Sequence, residues 1–308
     1  MIRFAIPRVG PANRCDSFAI PAYGDKAEVL IECCVVRNAL AGHPSEYGLP
    51  RTVPSFLLAL GSRPLPSELR TLEETFLLRR VFKNDFFAAT ALYEGSTRKI
   101  VLKIGRQAPF LLIPLRWIGR FLAAREASAL LRLRDLEGIP QYLGAWEDTG
   151  ILRAYIEGRP LQKGDPVPDD FHGRLRELIR TIHGRGMAYV DLEKCENVLL
   201  GHDGQPYLFD FQISWYLSPR RGGELWAARR LRAWLQAGDE YHLVKLQRRT
   251  RPDQLSPAVL QASYAKPWVV RAYTRAVRPL TRFRRGLLQW LDPRRHAGER
   301  GRIVQNER

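Results

Sequence analysis

Short apolar runs separated by turns dominate the pattern between residues 76 and 156. The runs 76–81, 86–93 and 99–104 mix hydrophobic with polar side chains and are divided by short polar connections. Two more runs, 142–146 and 151–156, flank the turn 147–150. Because strands joined by short turns pair with their neighbours in sequence, the pattern predicts an antiparallel sheet in this part of the chain.

Helical periodicity predominates elsewhere. Residues 121–133 and 169–183 carry apolar side chains three and four positions apart, which predicts one helix after the third strand and another after the sheet. Further helices, all carrying basic residues or adjoining them, are predicted over 224–237, 239–249, 257–265 and 267–291. Residues 1–68 hold scattered prolines and one plausible strand, 27–37, and we interpret them as a loosely ordered extension or a small addition to the sheet. The predicted fold class is α+β.

A polar loop between a helix and a hairpin, within residues 178–212, contains the candidate chemistry. Gly184 and Gly186 end the helix, and Asp191 opens a loop that leads to Asn197. An apolar run leaves this loop, a turn reverses the chain, and a second run ends at Asp210. This order is similar to that of protein kinases, in which one aspartate serves the acceptor hydroxyl and an asparagine and a second aspartate hold Mg²⁺.

This stretch resembles the catalytic region of protein-kinase-like enzymes. Residues 182–188 are similar to the L-H-x-x-G lead-in of that fold, and Tyr189-Val190-Asp191 stands where protein kinases have H-R-D. Five residues instead of four separate Asp191 from Asn197, and Asp210-Phe211-Gln212 replaces D-F-G. These features resemble the atypical bacterial branch that includes the lipopolysaccharide core-sugar kinases and the RIO-type kinases. The resemblance covers residues 69–215.

The resemblance implies a two-lobed protein-kinase-like fold. A small β-rich N-lobe would occupy residues 69–156, and a reduced helical C-lobe with basic C-terminal helices would occupy 157–308, after the poorly defined extension 1–68. ATP would be the phosphate donor, with Mg²⁺ or alternatively Mn²⁺ as the metal. The A-P-E sequence that follows in protein kinases is absent after Gln212.

Each polar residue in this order has a role in the resemblance. Asp191 would position or deprotonate an acceptor hydroxyl, and Asn197 and Asp210 would hold the metal. Lys103 stands where the phosphate-contacting lysine belongs, and Glu126 stands where its ion-pair partner belongs. A lysine within an apolar strand is costly to bury unless it is paired, which independently favours a functional Lys103. The alternative for Glu126 is a surface ion pair with its neighbour Arg125.

The predicted nucleotide site has one supporting feature and one missing feature. Tyr155, Ile156 and Glu157 lie in the sequence Y-I-E-G-x-P-L, which resembles the hinge of small-molecule and sugar kinases, so their backbone groups would meet the adenine. The connection 82–85 between the first two strands has no glycine, although protein kinases place a glycine-rich phosphate clamp there. This absence is the strongest argument against a standard ATP site.

The positive charge of the chain is concentrated in its last third. Residues 216–308 contain 21 Lys and Arg against 7 Asp and Glu, which accounts for most of the formal net charge of +17. Such an asymmetry predicts an anionic partner, a membrane surface or a phosphorylated glycolipid, with nucleic acid less favoured. The segment 267–291 combines Trp268, Phe283 and Trp290 with several arginines, which is typical of a helix on an anionic membrane and equally of a packed helix with a basic solvated face.

The chain has no apolar run of about 18 residues, and prolines and an arginine interrupt its first residues. We therefore expect a cytoplasmic protein, with peripheral attachment to the inner face of the cytoplasmic membrane through segment 267–291. The four cysteines have no metal-ligand spacing and are interpreted as reduced thiols.

Together these features predict an ATP-dependent phosphotransferase acting on a sugar hydroxyl of an anionic glycolipid at the membrane. The alternatives within the same class are an atypical Ser/Thr protein kinase of the RIO type and an aminoglycoside-type kinase, which would call for an acidic cleft. The alternative from another class is a catalytically silent pseudokinase that serves as a membrane scaffold. The missing glycines and the longer loop favour the scaffold, whereas the ordered set of five polar residues favours the enzyme.

Overall fold

The computed structural model describes residues 54–71, 73–110, 113–217 and 226–265, together with residues 267, 268, 270, 271, 275 and 286. The predicted strand 27–37 and most of the predicted helix 267–291 lie outside these residues. Within the described ranges, no helix combines the length and the apolar character that crossing a bilayer requires.

A six-stranded antiparallel sheet forms the first half of the described chain. Five of its strands are those that the sequence pattern predicts, and the short first strand, 68–70, was not predicted. Its strands follow the spatial order β1-β2-β3-β4-β6-β5. In chain order they are β1 (Glu68–Arg70), β2 (Thr75–Asn84), β3 (Ala88–Glu94), β4 (Lys99–Gly105), β5 (Tyr142–Trp146) and β6 (Gly150–Ala154). Irregular register in β2 between Val81 and Lys83 inserts Phe82 as an extra residue. Strand β4 lies in the middle of the sheet and is buried along nearly its whole length, which makes it a rigid support for Lys103.

The described part of the predicted N-terminal extension packs on this sheet. Leu57 and Leu60 are buried, and Arg106 lies beneath the segment. The Arg106 guanidinium donates hydrogen bonds to the carbonyls of Phe56 (2.6 Å) and Phe86 (2.8 Å) and lies 3.9 Å from the centre of the Phe86 ring. Because the cation satisfies backbone oxygens from several loops, residues 54–68 form a fixed addition to the sheet.

Helix α1 (Arg116–Arg132) crosses the sheet and begins five residues before the predicted start at Phe121. Gly119, which breaks the apolar pattern, lies inside the helix because its backbone packs against strand β4. A Cβ atom on Gly119 would lie 2.2 Å from the carbonyl oxygen of Arg106. In the sequence pattern this glycine marks an interruption of a helix. In the structure its missing side chain allows the helix backbone to lie close to the backbone of Arg106.

Replacing Gly119 by alanine should therefore destabilise the protein by about 2 to 4 kcal/mol, since the clash is with backbone that cannot move aside. Gly173→Ala is the matched control, because Gly173 is also helical but a Cβ there would meet nothing within 4 Å. The control should be neutral or stabilised by up to about 1 kcal/mol through its higher helix propensity. Urea unfolding of both variants measures the difference, and equal stability would contradict the packing described for α1.

The second half of the described chain is mainly helical. Its helices are α2 (Phe171–Gly184), α3 (Trp226–Thr250) and α4 (Pro257–Ala262). Strands β7 (Gly158–Pro160), β9 (Val198–Gly201) and β10 (Pro206–Leu208) form a small antiparallel sheet, and β8 (Met187–Ala188) pairs with β11 (Trp215–Tyr216). The hairpin β9–β10 is the one predicted between the candidate loop and Asp210.

The prediction of two helices over 224–237 and 239–249 is wrong, because α3 runs without a break through Gly238 and Asp239. An interior glycine costs a helix only about 1 kcal/mol. Burial of Leu243 and Leu246 and the hydrogen bonds of the buried Asp239 offset that cost. Tertiary contacts therefore outweigh the local preference to end the helix.

Helices α2 and α3 are joined by a buried polar contact whose strength depends on pH. The ring Nε2 of His172 lies 2.7 Å from the hydroxyl of Thr250. Burial, with Arg176 and Arg251 nearby, lowers the pKa of His172 to about 4. The folded protein therefore holds this imidazole neutral, while the unfolded chain protonates it near pH 6.5.

The contribution of His172 to the free energy of unfolding should consequently be fully present above pH 6.5. It should be lost as the pH drops from 6.5 to about 4, and the loss should be at most about 3 kcal/mol. A His172→Asn variant, which cannot titrate, should lose less stability over the same interval. The measurement is the free energy of unfolding at pH 7, 5.5 and 4.5 for both proteins. Parallel pH profiles would show that His172 does not carry the effect.

Candidate active site

Lys103 bridges two carboxylates at the junction of the sheet and the helical half. Its Nζ lies 2.7 Å from Oε2 of Glu126 on α1 and 2.8 Å from Oδ1 of Asp210 after β10. Lys103 and Glu126 are buried, so the predicted pairing of Glu126 with Lys103 is present and its alternative, a surface pair with Arg125, is not formed. Three elements far apart in sequence thus converge on one ammonium group.

The electrostatics of this cluster keep Lys103 charged. Burial alone would lower its pKa, but the charges of Glu126 and Asp210 outweigh burial and raise it. Burial raises the pKa of Glu126 more than Lys103 lowers it. For Asp210, burial acts upwards, but Lys103, Lys194 and Lys83 together lower the pKa. Asp210 is therefore held as an ionised carboxylate, the state that metal binding requires.

Asp191 and Asn197 lie in the loop between β8 and β9, close to Asp210. Oδ2 of Asp191 forms an ion pair with Nζ of Lys194 at 2.8 Å, and Nδ2 of Asn197 donates to the backbone oxygen of Asp191 at 3.1 Å. The bond fixes the plane of the Asn197 amide, and both Asp191 and Asn197 are buried. The loop ends in a short 3₁₀ turn, Cys195–Asn197, which leads directly into β9.

A buried carboxylate on α3, which the sequence analysis missed, holds the backbone before Asp191. The carboxylate of Asp239 accepts hydrogen bonds from the backbone N–H of Tyr189 (2.8 Å) and of Val190 (2.7 Å). Its Oδ2 also lies 3.0 Å from Nε2 of His183. Val190 adopts φ 72°, a conformation that β-branched residues rarely take. The two hydrogen bonds from these backbone N–H groups stabilise the strained residue and so fix the backbone that leads into Asp191. The sequence gives no local signal for this role, because Asp239 is followed by a second acidic residue, Glu240, in the same helix.

Aromatic packing and an arginine fix the segment after Asp210. The Tyr189 and Phe211 rings meet edge to face at 5.1 Å, and the Tyr189 hydroxyl donates to the carbonyl of Phe209. Burial and nearby carboxylates raise the pKa of Tyr189 well above its ordinary value, so it remains a neutral donor. Arg125 of α1 donates to the carbonyls of Gln212 (3.0 Å) and Ser214. Helix α1 is therefore tied to the backbone that directly follows Asp210.

Two further residues near the cluster were not predicted. Arg153 on β6 faces the carboxylates, and burial lowers its pKa although Glu126 and Asp210 act in the opposite direction. Its guanidinium lies 5.6 Å from the centre of the Phe209 ring. Phe82, the extra residue of β2, stacks on Tyr155 with ring centres 6.3 Å apart and 14° between the planes. An arginine in an apolar strand resembles any surface arginine in sequence, and the register shift that sets Phe82 against Tyr155 has no local signal.

The predicted hinge residues connect the two sheets. The N–H of Tyr155 donates to the carbonyl of Lys99, and the carbonyl of Glu157 accepts from the N–H of His202. The Glu157 side chain pairs with Lys99 at 2.8 Å. Contact of Tyr155, Ile156 and Glu157 with a nucleotide remains a prediction. Because the N–H of Tyr155 and the carbonyl of Glu157 are already hydrogen-bonded, the adenine would have to bind other backbone groups of this segment.

The donor set fits a magnesium nucleotide. Asp210 supplies an ionised carboxylate and Asn197 an amide oxygen, and Mg²⁺ prefers hard oxygen ligands in which one or two carboxylates combine with phosphates and water. Among the described residues, no three His, Cys, Asp or Glu side chains converge as a metal site of their own. Lys103 would supply an ammonium group to the phosphates.

Comparison with known proteins gives weak structural similarity. The Rio2 kinase from Chaetomium thermophilum, solved as an ADP/Mg²⁺-phosphoaspartate complex, is similar at 16% identity and a TM-score of 0.43, over 67% of this chain and 71% of that chain. A further structure of the Rio2 kinase from Chaetomium thermophilum is similar at 16% identity and a TM-score of 0.39, over 64% and 70%. No protein-family model matches the chain, and no curated protein matches it. At these TM-scores the similarity carries no argument, and the function rests on the geometry of the site.

Proposed function

We propose that the protein is an ATP-dependent phosphotransferase with a two-lobed kinase-like fold. The observation that carries the proposal is Lys103, buried and shared between Glu126 and Asp210, beside a loop that presents Asp191 and Asn197. In this proposal Lys103 is the phosphate-binding cation, Asn197 and Asp210 are the metal ligands, and Asp191 is the carboxylate that orients the acceptor. The contacts of Lys103 with Glu126 and Asp210, together with the adjoining contact of Asn197 with Asp191, support catalysis over a purely structural role.

In the proposed reaction the acceptor oxygen forms a bond to the γ-phosphorus of ATP while the bond to the β–γ bridging oxygen breaks and its electron pair leaves with ADP. Asp191 orients the acceptor hydroxyl and takes its proton, and Lys194 holds the other side of that carboxylate. Asn197 and Asp210 would hold Mg²⁺, which supplies neutralisation of charge on the phosphates. Lys103 positions the phosphates, and Glu126 positions Lys103.

For the acceptor we propose a sugar hydroxyl of an anionic glycolipid. The basic excess of residues 216–308 supports an anionic substrate or surface. A RIO-type protein kinase acting on Ser or Thr is the alternative within the same chemistry. The test is transfer of labelled γ-phosphate from ATP to lipopolysaccharide, a generic protein and an aminoglycoside in parallel. Labelling of the lipopolysaccharide alone supports the proposal, and labelling of the protein alone assigns the alternative.

We further propose peripheral membrane attachment through segment 267–291, on the strength of its sequence. Wild-type protein should sediment with anionic liposomes and not with neutral ones, since each arginine near the surface contributes about 1 kcal/mol. A variant with Trp268, Phe283 and Trp290 replaced by alanine should bind markedly less, because membrane insertion needs apolar burial and phosphate contact alone does not. Equal binding of the variant would assign this segment to a packed helical lobe.

The pseudokinase scaffold is the second candidate, and one observation favours it. In the turn between β2 and β3, Asp85 accepts the amide protons that a phosphate clamp would use, as Oδ1 bonds the N–H of Phe87 and of Ala88. A thermal-shift titration separates the candidates. Stabilisation by ATP that requires Mg²⁺ supports the enzyme, and no shift at millimolar ATP supports the scaffold.

A further inference from the structure

The turn between β2 and β3 cannot clamp phosphates with its backbone. Oδ1 of Asp85 lies 2.9 Å from the amide nitrogen of Phe87 and 3.1 Å from that of Ala88. The other oxygen of the carboxylate, Oδ2, lies 2.8 Å from Nζ of Lys83. The carboxylate of Asp85 thus occupies the amide N–H groups of this turn, and the ammonium group of Lys83 neutralises that carboxylate.

Lys83 lies in the same row of the sheet as Lys103. In the register of the strands, Lys83 is opposite Thr90, and Thr90 is opposite Lys103. Residues opposite each other in antiparallel strands project from the same face. The face of Lys103 is the one that meets Asp210, so Lys83 belongs to the same cleft. Two strand spacings separate the two lysines, about 10 Å.

Lys83 has the freedom to change partner. Its side chain is 60% exposed, whereas that of Lys103 is 10% exposed. Lys83 therefore projects from the face of the sheet that carries Lys103 and is exposed enough to leave Asp85 for another anion. An exposed ion pair such as Lys83–Asp85 is weak, and a contact with a phosphate group is stronger.

We propose that Lys83 binds the nucleotide phosphates and replaces the missing glycine-rich clamp, with Asp85 holding its ammonium group at the cleft before the nucleotide enters. The inference rests on the proposed function, since it assigns a phosphate contact within the same site. It also explains how a glycine-free turn is compatible with nucleotide binding. The ammonium group of Lys83 binds the phosphates in place of the backbone N–H groups of a glycine-rich loop.

The test compares affinities for Mg·ATP and for adenosine, which has no phosphates. Lys83→Met should weaken Mg·ATP binding at least about tenfold, the loss of one charged hydrogen bond, and leave adenosine binding unchanged. Lys83→Arg should restore most of the Mg·ATP affinity. Arg79→Met is the matched control, because Arg79 lies on the same strand, is also 60% exposed and pairs with Glu94. This control should bind Mg·ATP like the wild type.

Each other outcome has a distinct meaning. If the wild type binds Mg·ATP and Lys83→Met binds it equally well, the inference about Lys83 is wrong and the proposed function stands. If Lys83→Met loses adenosine and Mg·ATP to the same extent, the effect lies in the pocket and the phosphate contact is again excluded. If the wild type binds no Mg·ATP, the proposed function and the inference fail together.

Discussion

Replacing Asp210 by alanine should abolish Mg·ATP-dependent phosphotransfer, with turnover reduced by about 10³-fold or more. Asp210 is the only carboxylate among the proposed metal ligands, and its lowered pKa keeps it ionised for that role. Its loss removes the metal and the charge that aligns Lys103. The measurement is the initial rate of transfer from labelled ATP, with Mg²⁺ and with Mn²⁺.

The fold should survive this substitution. Lys103 keeps its contact with Glu126 at 2.7 Å, so the buried ammonium group is still paired. The melting temperature of Asp210→Ala should therefore remain close to that of the wild type. Asp203→Ala, in the exposed turn of the β9–β10 hairpin, is the control carboxylate and should retain turnover. Substantial activity in Asp210→Ala would remove Asp210 from the metal site.

The second large effect is expected at Asp239. Replacing it by alanine should reduce the free energy of unfolding by about 3 to 5 kcal/mol, because two buried N–H groups lose their acceptor. These amides belong to Tyr189 and Val190, directly before Asp191. The strained backbone at Val190 would relax, and activity should fall together with stability.

Asp239→Asn provides the graded comparison. Its amide oxygen can accept one of the two backbone protons, but its NH₂ group cannot accept the other, so the loss of stability should be intermediate. Urea unfolding with tryptophan fluorescence measures all three proteins. If Asp239→Ala is as stable as the wild type, the anchoring of the Asp191 loop to helix α3 is wrong.

The features predictable from sequence are those that depend on local pattern. The alternation of apolar residues located the strands of the sheet, and the turn residues located the β9–β10 hairpin. The order Asp191, Asn197, Asp210 placed the candidate residues because they lie within one short stretch. Lys103 could be singled out because a charged residue within a buried strand needs a partner, and the structure supplies Glu126 and Asp210.

The features that were missed depend on contacts between distant segments. Nothing near Asp239 in sequence indicates that it bonds residues about fifty positions earlier. Both Gly119 and Gly238 lie inside helices, although the predicted helices end or begin beside them. Gly119 allows its helix to pack closely on the backbone of Arg106. At Gly238, tertiary hydrogen bonds and burial outweigh the low helix propensity of glycine. The glycine-free turn argued against nucleotide binding until the register of β2 and β3 placed Lys83 in the row of Lys103. A strand bulge changes which face a side chain occupies, and the sequence alone does not reveal it.

Binding of ATP to the purified wild-type protein, measured by titration calorimetry with and without Mg²⁺, tests the account most directly. In the proposed site Asn197 and Asp210 would hold the metal that accompanies the phosphates. Saturable binding should therefore be seen with Mg²⁺ and should weaken strongly when Mg²⁺ is chelated. Lys103→Met should bind less tightly under the same conditions. Absence of binding at millimolar ATP with Mg²⁺ present, in protein that unfolds cooperatively, would contradict the phosphotransferase and leave the scaffold as the function.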